Sequence, residues 1–528
     1  MNTPVSIFND VLGPVMRGPS SSHTAAAYRI SSIASQLAGE KIAAFTVDFS
    51  TDGSLATTWD GQGSGIGIAG GILGCDMESD TIIDSISMVR EKGVDLRFRI
   101  TDYENDHPNT YRISVTSVTG ATTEIVAVST GGGMIRLKEL NGFRINVFGG
   151  YYEYFFYAGK LYEGDTAKTK EFILREYSKC NIELIDIAST GESFLINIKA
   201  SEAIDSNLLS QMSASLNAHK TQAAGPVVPV LSRADCVVPF TSASDLIKSL
   251  PDAQTQLWEM ALLYESQRGN ISKDEVWALA SDILKVMRAS LVTGLAGTSY
   301  SDRILGRQSH LIDQAVENRK ILDSPLVNTV IRNTAAVMES KSSFQPIVAA
   351  PTAGSCAVIP GTLLSCADLY GFSEEESIKA LLAAGITGVF IATRSTFSAE
   401  VAGCQAECGA ASAMAASGVV QLLGGTAQEA LNAASFALQN LLGLVCDPVA
   451  CRVEVPCLGK NILGSTNAIT AANITMAGFD TLIPLDEVIG AMDSIGHALC
   501  DELCCTGKVG LSLTPAAKQI EANLKMNT

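Results

Sequence analysis

Period-2 alternation through the first 150 residues, a short mixed segment after it, and the near disappearance of strand signal beyond residue 241 predict a multidomain chain. The expected parts are a mixed α/β domain, a small ferredoxin-like domain and an all-helical domain. In residues 1–150 the runs AAFTVDFSTDGSL, VDLRFRITDYE, TYRISVTSV, TTEIVAVSTGGG and FRINVFGG alternate β-branched and polar residues between Gly-rich turns. Residues 22–38 and 81–92 carry helical spacing. Residues 151–222 read strand (YYEYFFYA), helix (TAKTKEFILREYSK), strands (IELIDIAST, SFLINIKA) and helix (NLLSQMSASLN), an order that suggests a ferredoxin-like unit. Residues 223–240 hold three Pro and read as a linker. From 241 to 528, Ala/Leu/Ile segments punctuated by Gly predict buried helices.

The chain has 528 residues, 47% hydrophobic and 17% charged, enough for two to four domains with large cores. A formal net charge of −18 argues against nucleic acid as a partner, because phosphate binding needs a basic stripe. The apolar stretches near 380–393 and 434–446 are interrupted by Gly, Thr, Asn and Gln, and no membrane span is expected. MNTPVSIFNDVLGP lacks the basic and apolar regions of a signal peptide, so a cytoplasmic protein is expected.

Cysteine usage is lopsided. Of 13 cysteines only Cys75, Cys180 and Cys236 precede residue 350; the other ten lie between Cys356 and Cys505. Most read as small apolar fillers in Ala/Gly-rich helices. Three segments break the helical pattern: PTAGSCAVIPG (351–361), GCQAECG (403–409) and CDPVACRVEVPC (446–457). Thiolates favour soft metals and iron–sulfur clusters, and flanking Gly and Pro let backbone turn around a bulky core. The spacings from Cys404 to Cys446 and from Cys446 to Cys457 match neither zinc ribbons nor ferredoxin runs. On spacing alone, three unrelated buried thiols are the favoured reading over a three-thiolate site.

PSSSHT (19–24), DHPNT (106–110), PTAGSC (351–356), GCQAE (403–407) and LGLVCDPVA followed by EVPC together resemble the iron–sulfur-dependent L-serine dehydratases, in a form that fuses β and α portions. The resemblance spans nearly the whole chain. It implies a [4Fe–4S] cluster on Cys404, Cys446 and Cys457, a substrate-binding-like domain over 1–150, an ACT-type regulatory domain over 151–222 open to a small effector, and a homodimer. The implied reaction converts L-serine to pyruvate and ammonia. Eliminating water needs a base for the α-proton and an acid for the β-hydroxyl, and an open iron polarises the leaving oxygen. Pyridoxal phosphate is not needed, and no lysine anchor for it stands out.

The resemblance points to Ser20, Ser21, Ser22, His23, Thr24, Thr352 and Arg394 as substrate-side residues. Ser20 to Thr24 read either as a cradle for a substrate carboxylate at a helix start or as a helix cap made by Ser22 or Thr24. His107 fits a turn as well as a site. STGGG (129–133) offers backbone amides to an anion, and GQGSGIG (61–67) is a weak match to a dinucleotide loop. Several positions depart from the serine-specific pattern. GHGTD becomes GQGSG, replacing a histidine with Gln62, which cannot take up a proton. NASISGAE becomes RSTFSAEV, introducing Arg394. RETGxGGL becomes CCTGKVGL, CDPVAG becomes CDPVAC, and the chain closes on KMNT without a terminal cysteine. The alternatives are a paralogous lyase for another small hydroxy acid or a cysteine-like substrate, and a cluster-bearing sensor without catalysis. Arg394 reads as the partner of a substrate anion, or of Glu400 or Glu407.

Overall fold

The computed structural model describes residues 4–527; Met1 to Thr3, Thr528 and the side chains of the KMNT end lie outside it. Its first sheet is mixed and six-stranded, in the order Asp95–Thr101, Ile42–Ser50, Thr110–Ser117, Thr122–Gly131, Met134–Leu140, Phe143–Val147. Only the first two strands run parallel. The sequence reading missed the strand Met134–Leu140, in which Ile135 and Leu137 alternate with Arg136 and Lys138 until a register shift at Glu139 breaks the pattern.

Helices Ala26–Ala38 and Ser64–Leu73 pack closely against each other beside this sheet. Glycine makes that approach feasible. A Cβ on Gly67 would fall 2.2 Å from Thr24 O, and one on Gly71 would fall 2.4 Å from Tyr28 O. The glycine-rich run after residue 61 is therefore a helix-packing surface, which explains its composition without a nucleotide.

Residues 151–224 form a four-stranded antiparallel sheet in the order Ala218–Ala224, Tyr152–Ala158, Ser193–Ala200, Ile182–Thr190, with helices Thr166–Glu176 and Ser206–Ser215. The last strand extends past the expected boundary at 222. It is held by Gln222, whose side-chain amide donates to Leu37 O at 2.6 Å and thereby joins the two sheet regions.

The remainder is helical. Capping boxes start three of its helices: Ser272 with Glu275, Ser373 with Glu376, and Thr426 with Glu429. Ala410–Leu422 is buried on every side, packed by Glu374–Arg394, Ala427–Gln439 and Cys457–Met476. Its small residues let neighbours approach closely. Glu374–Arg394 is long and apolar enough to cross a membrane, yet 78% of its most apolar window is buried in this bundle. It reads as a core helix.

One segment departs from the domain reading. Ile7, Phe8, Val11, Leu12 and Met16 belong to the core of the helical region, although the sequence assigns them to 1–150. Val15–Met16 pairs with Ile347–Val348, and a Cβ on Gly388 would fall 2.2 Å from Val11. The chain's start therefore binds the α/β part to the helices.

Candidate active site and thiol centre

Two groups of side chains meet where the α/β part touches the helical bundle. The first is PSSSHT. Ser21–Ala25 is a wide π-helical turn that runs into Ala26–Ala38, and Ser20 precedes it with no side-chain cap. The cap reading for Ser22 and Thr24 thus fails, since both lie inside the turn. Thr24 Oγ1 donates to Gln62 O at 3.0 Å. Ser21 Oγ accepts from the Ala353 N–H at 3.2 Å, joining this turn to PTAGSC. Ser22 is buried, and its carbonyl accepts from Tyr111.

His23 is fully buried between two hydroxyls. Its Nδ1 lies 2.9 Å from Ser20 Oγ and its Nε2 lies 2.8 Å from Thr58 Oγ1. Thr58 spends its own proton on Ser54 O at 2.7 Å. Nε2 must therefore carry the imidazole proton, leaving the Nδ1 lone pair to accept from Ser20. Glu400 Oε1 stands 3.9 Å from that same Nδ1. Burial pulls the imidazole down to about 4, against the opposing pull of Glu400, so His23 is neutral at pH 7.

The second group is the thiols. Cys404 follows Gly403, whose φ of 70° and close approach to Leu444 O suit glycine. Cys446 is clamped by backbone bonds to the segment 503–505, and Cys457 opens helix Cys457–Met476. All three are buried. The sulfurs of Cys404 and Cys446 and a Glu407 carboxylate oxygen lie within 4.8 Å of one another. Hydrogen bonds with Cys404 and Cys505, then burial, push the Cys446 thiol well up. Burial does the same to Cys457, with Lys341 opposing and neighbouring Cys404 adding. Burial lowers Lys460, but Cys404 and Asp447 outweigh it and hold the ammonium charged. Lys460 Nζ sits 3.8 Å from Cys404 Sγ and 3.0 Å from Asp447 Oδ1.

Thr352 joins the two groups. It donates to Glu407 Oε1 at 2.7 Å, and burial raises Glu407 to about 7 despite that bond. Glycine in STGGG lets the sheet tip press on the same region: Gly131 has φ of 104° and approaches Ser398 N. His107 accepts from the Asn109 N–H at 3.1 Å, which is a turn role. Gln62 donates to Cys451 O at 3.0 Å and so ties the altered GQGSG loop to the altered CDPVAC loop.

Arg394 stands apart. Its side chain is 42% exposed and faces Asp486 at 3.6 Å, rather than Glu400 or Glu407. Asp486 is further occupied by the N–H groups of Ala243 and Ser244. Sequence reasoning missed Thr58, Lys460 and a site role for Glu400. Only the spacing of Glu407 three residues after Cys404, one helical turn, offered a signal.

Residues 252–512 match the family profile described as serine dehydratase alpha chain. The chain is 34% identical over 285 residues to a probable L-serine dehydratase alpha chain of Bacillus subtilis strain 168, covering 54% of this chain and 95% of that one. It is 32% identical to the L-serine dehydratase alpha chain of Peptoniphilus asaccharolyticus, over 53% of this chain and 97% of the relative. Against L-serine dehydratase TdcG of Escherichia coli strain K12 the identity is 31%, over 52% and 62% of the two chains. With the family profile spanning the region that holds Thr352, Cys404, Cys446 and Cys457, the chain belongs to the L-serine dehydratase family.

Proposed function

We propose that this chain is an iron–sulfur-dependent lyase that converts L-serine to pyruvate and ammonia, with a [4Fe–4S] cluster on Cys404, Cys446 and Cys457. The observation that carries it is the convergence of these separated thiols on the Ser21, Thr352 and Glu407 group. The donor set fits such a cluster. The thiols are free of disulfides, and burial makes them poor acids unless a soft cation takes the place of their protons. When bound, the cluster supplies Lewis acidity toward the leaving β-hydroxyl.

The remaining work falls to the chain. Ser21 and Ser22 present hydroxyls to the substrate carboxylate, while Ser20 and Thr24 hold the turn in place through His23 and Gln62. His23 takes the α-proton at Nδ1, the ring nitrogen that carries no proton, as Ser20 gives up its hydrogen bond there, and Glu400 then holds the imidazolium by charge. Burial of the whole group keeps water from competing. The released aminoacrylate tautomerises and hydrolyses in solution to the oxo-acid and ammonia.

A second reading is a paralogous lyase for another small hydroxy acid or a cysteine-like substrate. The bridge from Gln62 to Cys451 favours it, because an inert amide occupies the family's histidine position. A small effector at residues 151–224 and a homodimer complete the proposal, and the ACT-type reading is supported by the βαββαβ order and antiparallel pairing there. Anaerobic reconstitution, followed by a screen of hydroxy and amino acids for oxo-acid, ammonia or sulfide release, tests both readings. Pyruvate and ammonia from serine support the first. Sulfide, or turnover of another acid alone, supports the second.

A further inference from the structure

We infer that Cys505 is a fourth thiolate donor to the metal centre, so that the chain itself caps the position which Cys404, Cys446 and Cys457 leave open. Such capping presupposes the cluster proposed above and adds a ligand to it. Cys505 is buried in one small cluster with Ala399, Cys404 and Cys446, and its thiol meets that of Cys446 directly. Backbone pairing fixes this contact. The Cys446 N–H donates to Leu503 O at 2.9 Å, and the Cys505 N–H donates to Cys446 O at 3.1 Å.

The rest of the segment is strapped over the same loop. The Leu511 N–H donates to Asp447 Oδ2 at 3.3 Å, and Ser512 Oγ donates to Pro448 O at 2.8 Å. Cys505 holds φ of 62°, a left-handed conformation costly for a residue with a Cβ. Such conformations persist where the surroundings over-determine them, and they gather at functional sites. The adjacent Cys504 has a different role: its thiol donates to Val401 O at 3.7 Å. Only the second cysteine of CCTG faces the centre.

The chemistry balances without a redox partner. Binding turns the Cys505 thiol into a thiolate and releases one proton to solvent. An incoming substrate oxygen displaces the sulfur, which recovers a proton. The resting centre is thus closed to small oxidants and opens only to a ligand that competes with a tethered thiolate.

The test uses the full chain loaded anaerobically with ⁵⁷Fe. Cys505→Gly keeps the left-handed backbone without strain, Cys505→Ser keeps the side-chain size, and Cys504→Ala is the control. In wild type and control, Mössbauer spectra without serine are expected to show irons in one all-thiolate environment. In Cys505→Gly one iron should stand apart before any ligand is added, and oxygen should convert the cluster to a three-iron form several-fold faster by EPR. Identical spectra and oxygen sensitivity in wild type and Cys505→Gly would overturn the assignment. So would a distinct iron in the wild type, or loss of all iron in both Cys505 variants, since three thiolates should still retain a cluster. A wild type that loads no four-iron cluster at all removes the underlying cluster reading instead, and this capping with it.

Discussion

The two sides of the site differ in how far they are finished without a ligand. On the α/β side, Ser20, His23, Thr58 and Ser54 satisfy one another in a chain of hydrogen bonds, and the imidazole is neutral. On the helical side, Cys446, Cys457 and Cys408 are thiols pushed upward, and the positive charge beside them comes from Lys341 and Lys460. Hydrogen bonds can be closed within a protein at little net cost. Buried thiolates cannot, because each needs a positive partner. The first side is therefore organised by folding and the second by what it binds.

The largest effects should fall on the unfinished side. Cys404→Ser, Cys446→Ser and Cys457→Ser should each abolish the brown chromophore and all activity, whereas Cys366→Ser and Cys500→Ser should do neither. Full iron content and activity in any one of the first three would remove that residue from the ligand set. On the finished side, Ser21→Ala, Ser22→Ala or His23→Ala should lower kcat/KM by roughly 10- to 150-fold, the equivalent of about 1.5–3 kcal/mol for a lost bond to a charged group. The cluster spectrum should persist. Normal specific activity per folded molecule would reduce these residues to scaffolding.

His23 also sharpens the contrast through pH. Its folded value of about 4 lies below the ordinary histidine value of 6.5, so the unfolded chain binds the extra proton between them. The neutral imidazole's contribution is complete above pH 6.5 and is lost as pH falls toward 4. Relative to His23→Gln, wild type should lose about 3 kcal/mol of stability across that window, measured by denaturant unfolding at stepped pH. Parallel pH profiles for the two proteins would show that the imidazole is solvated. The smallest effect belongs to Arg394→Asn. A half-exposed pair with Asp486 is worth about 0–1 kcal/mol, and kcat/KM should change little and equally on serine and on any competing acid. A selective loss on one substrate would bring Arg394 back to the site.

Much of this was legible in advance because periodicity reports burial. The alternating strands of 1–150 and the helical bundle follow directly from it, and Gly and Pro exposed the three cysteine segments as irregular. Three features escaped. Met134–Leu140 alternates for only four residues, Ile135 to Lys138, before Glu139 and a register shift end the pattern. Residues 7–16 look like any other amphipathic segment, and nothing local says which core they join. Thr58 and Lys460 act through partners 35 and 56 positions away in sequence, and Glu400 through His23 near the opposite end of the chain, and no spacing rule spans such distances. For Glu400 the partner contact itself is the 3.9 Å approach to His23.

The threading of the first residues through the helical core has a consequence for how the protein is made. Ser6 donates to Glu265, 259 positions later, and Val15 pairs with Val348. During synthesis these residues emerge before the helices they join and have no seat until most of those helices have left the ribosome. The α/β sheet can close on its own strands long before then, leaving an apolar tail of Ile7, Phe8, Val11 and Leu12 waiting in solvent. Cutting the gene at the 223–240 linker would therefore separate the helices from a piece of their own interior, and the two products should be soluble only when produced together.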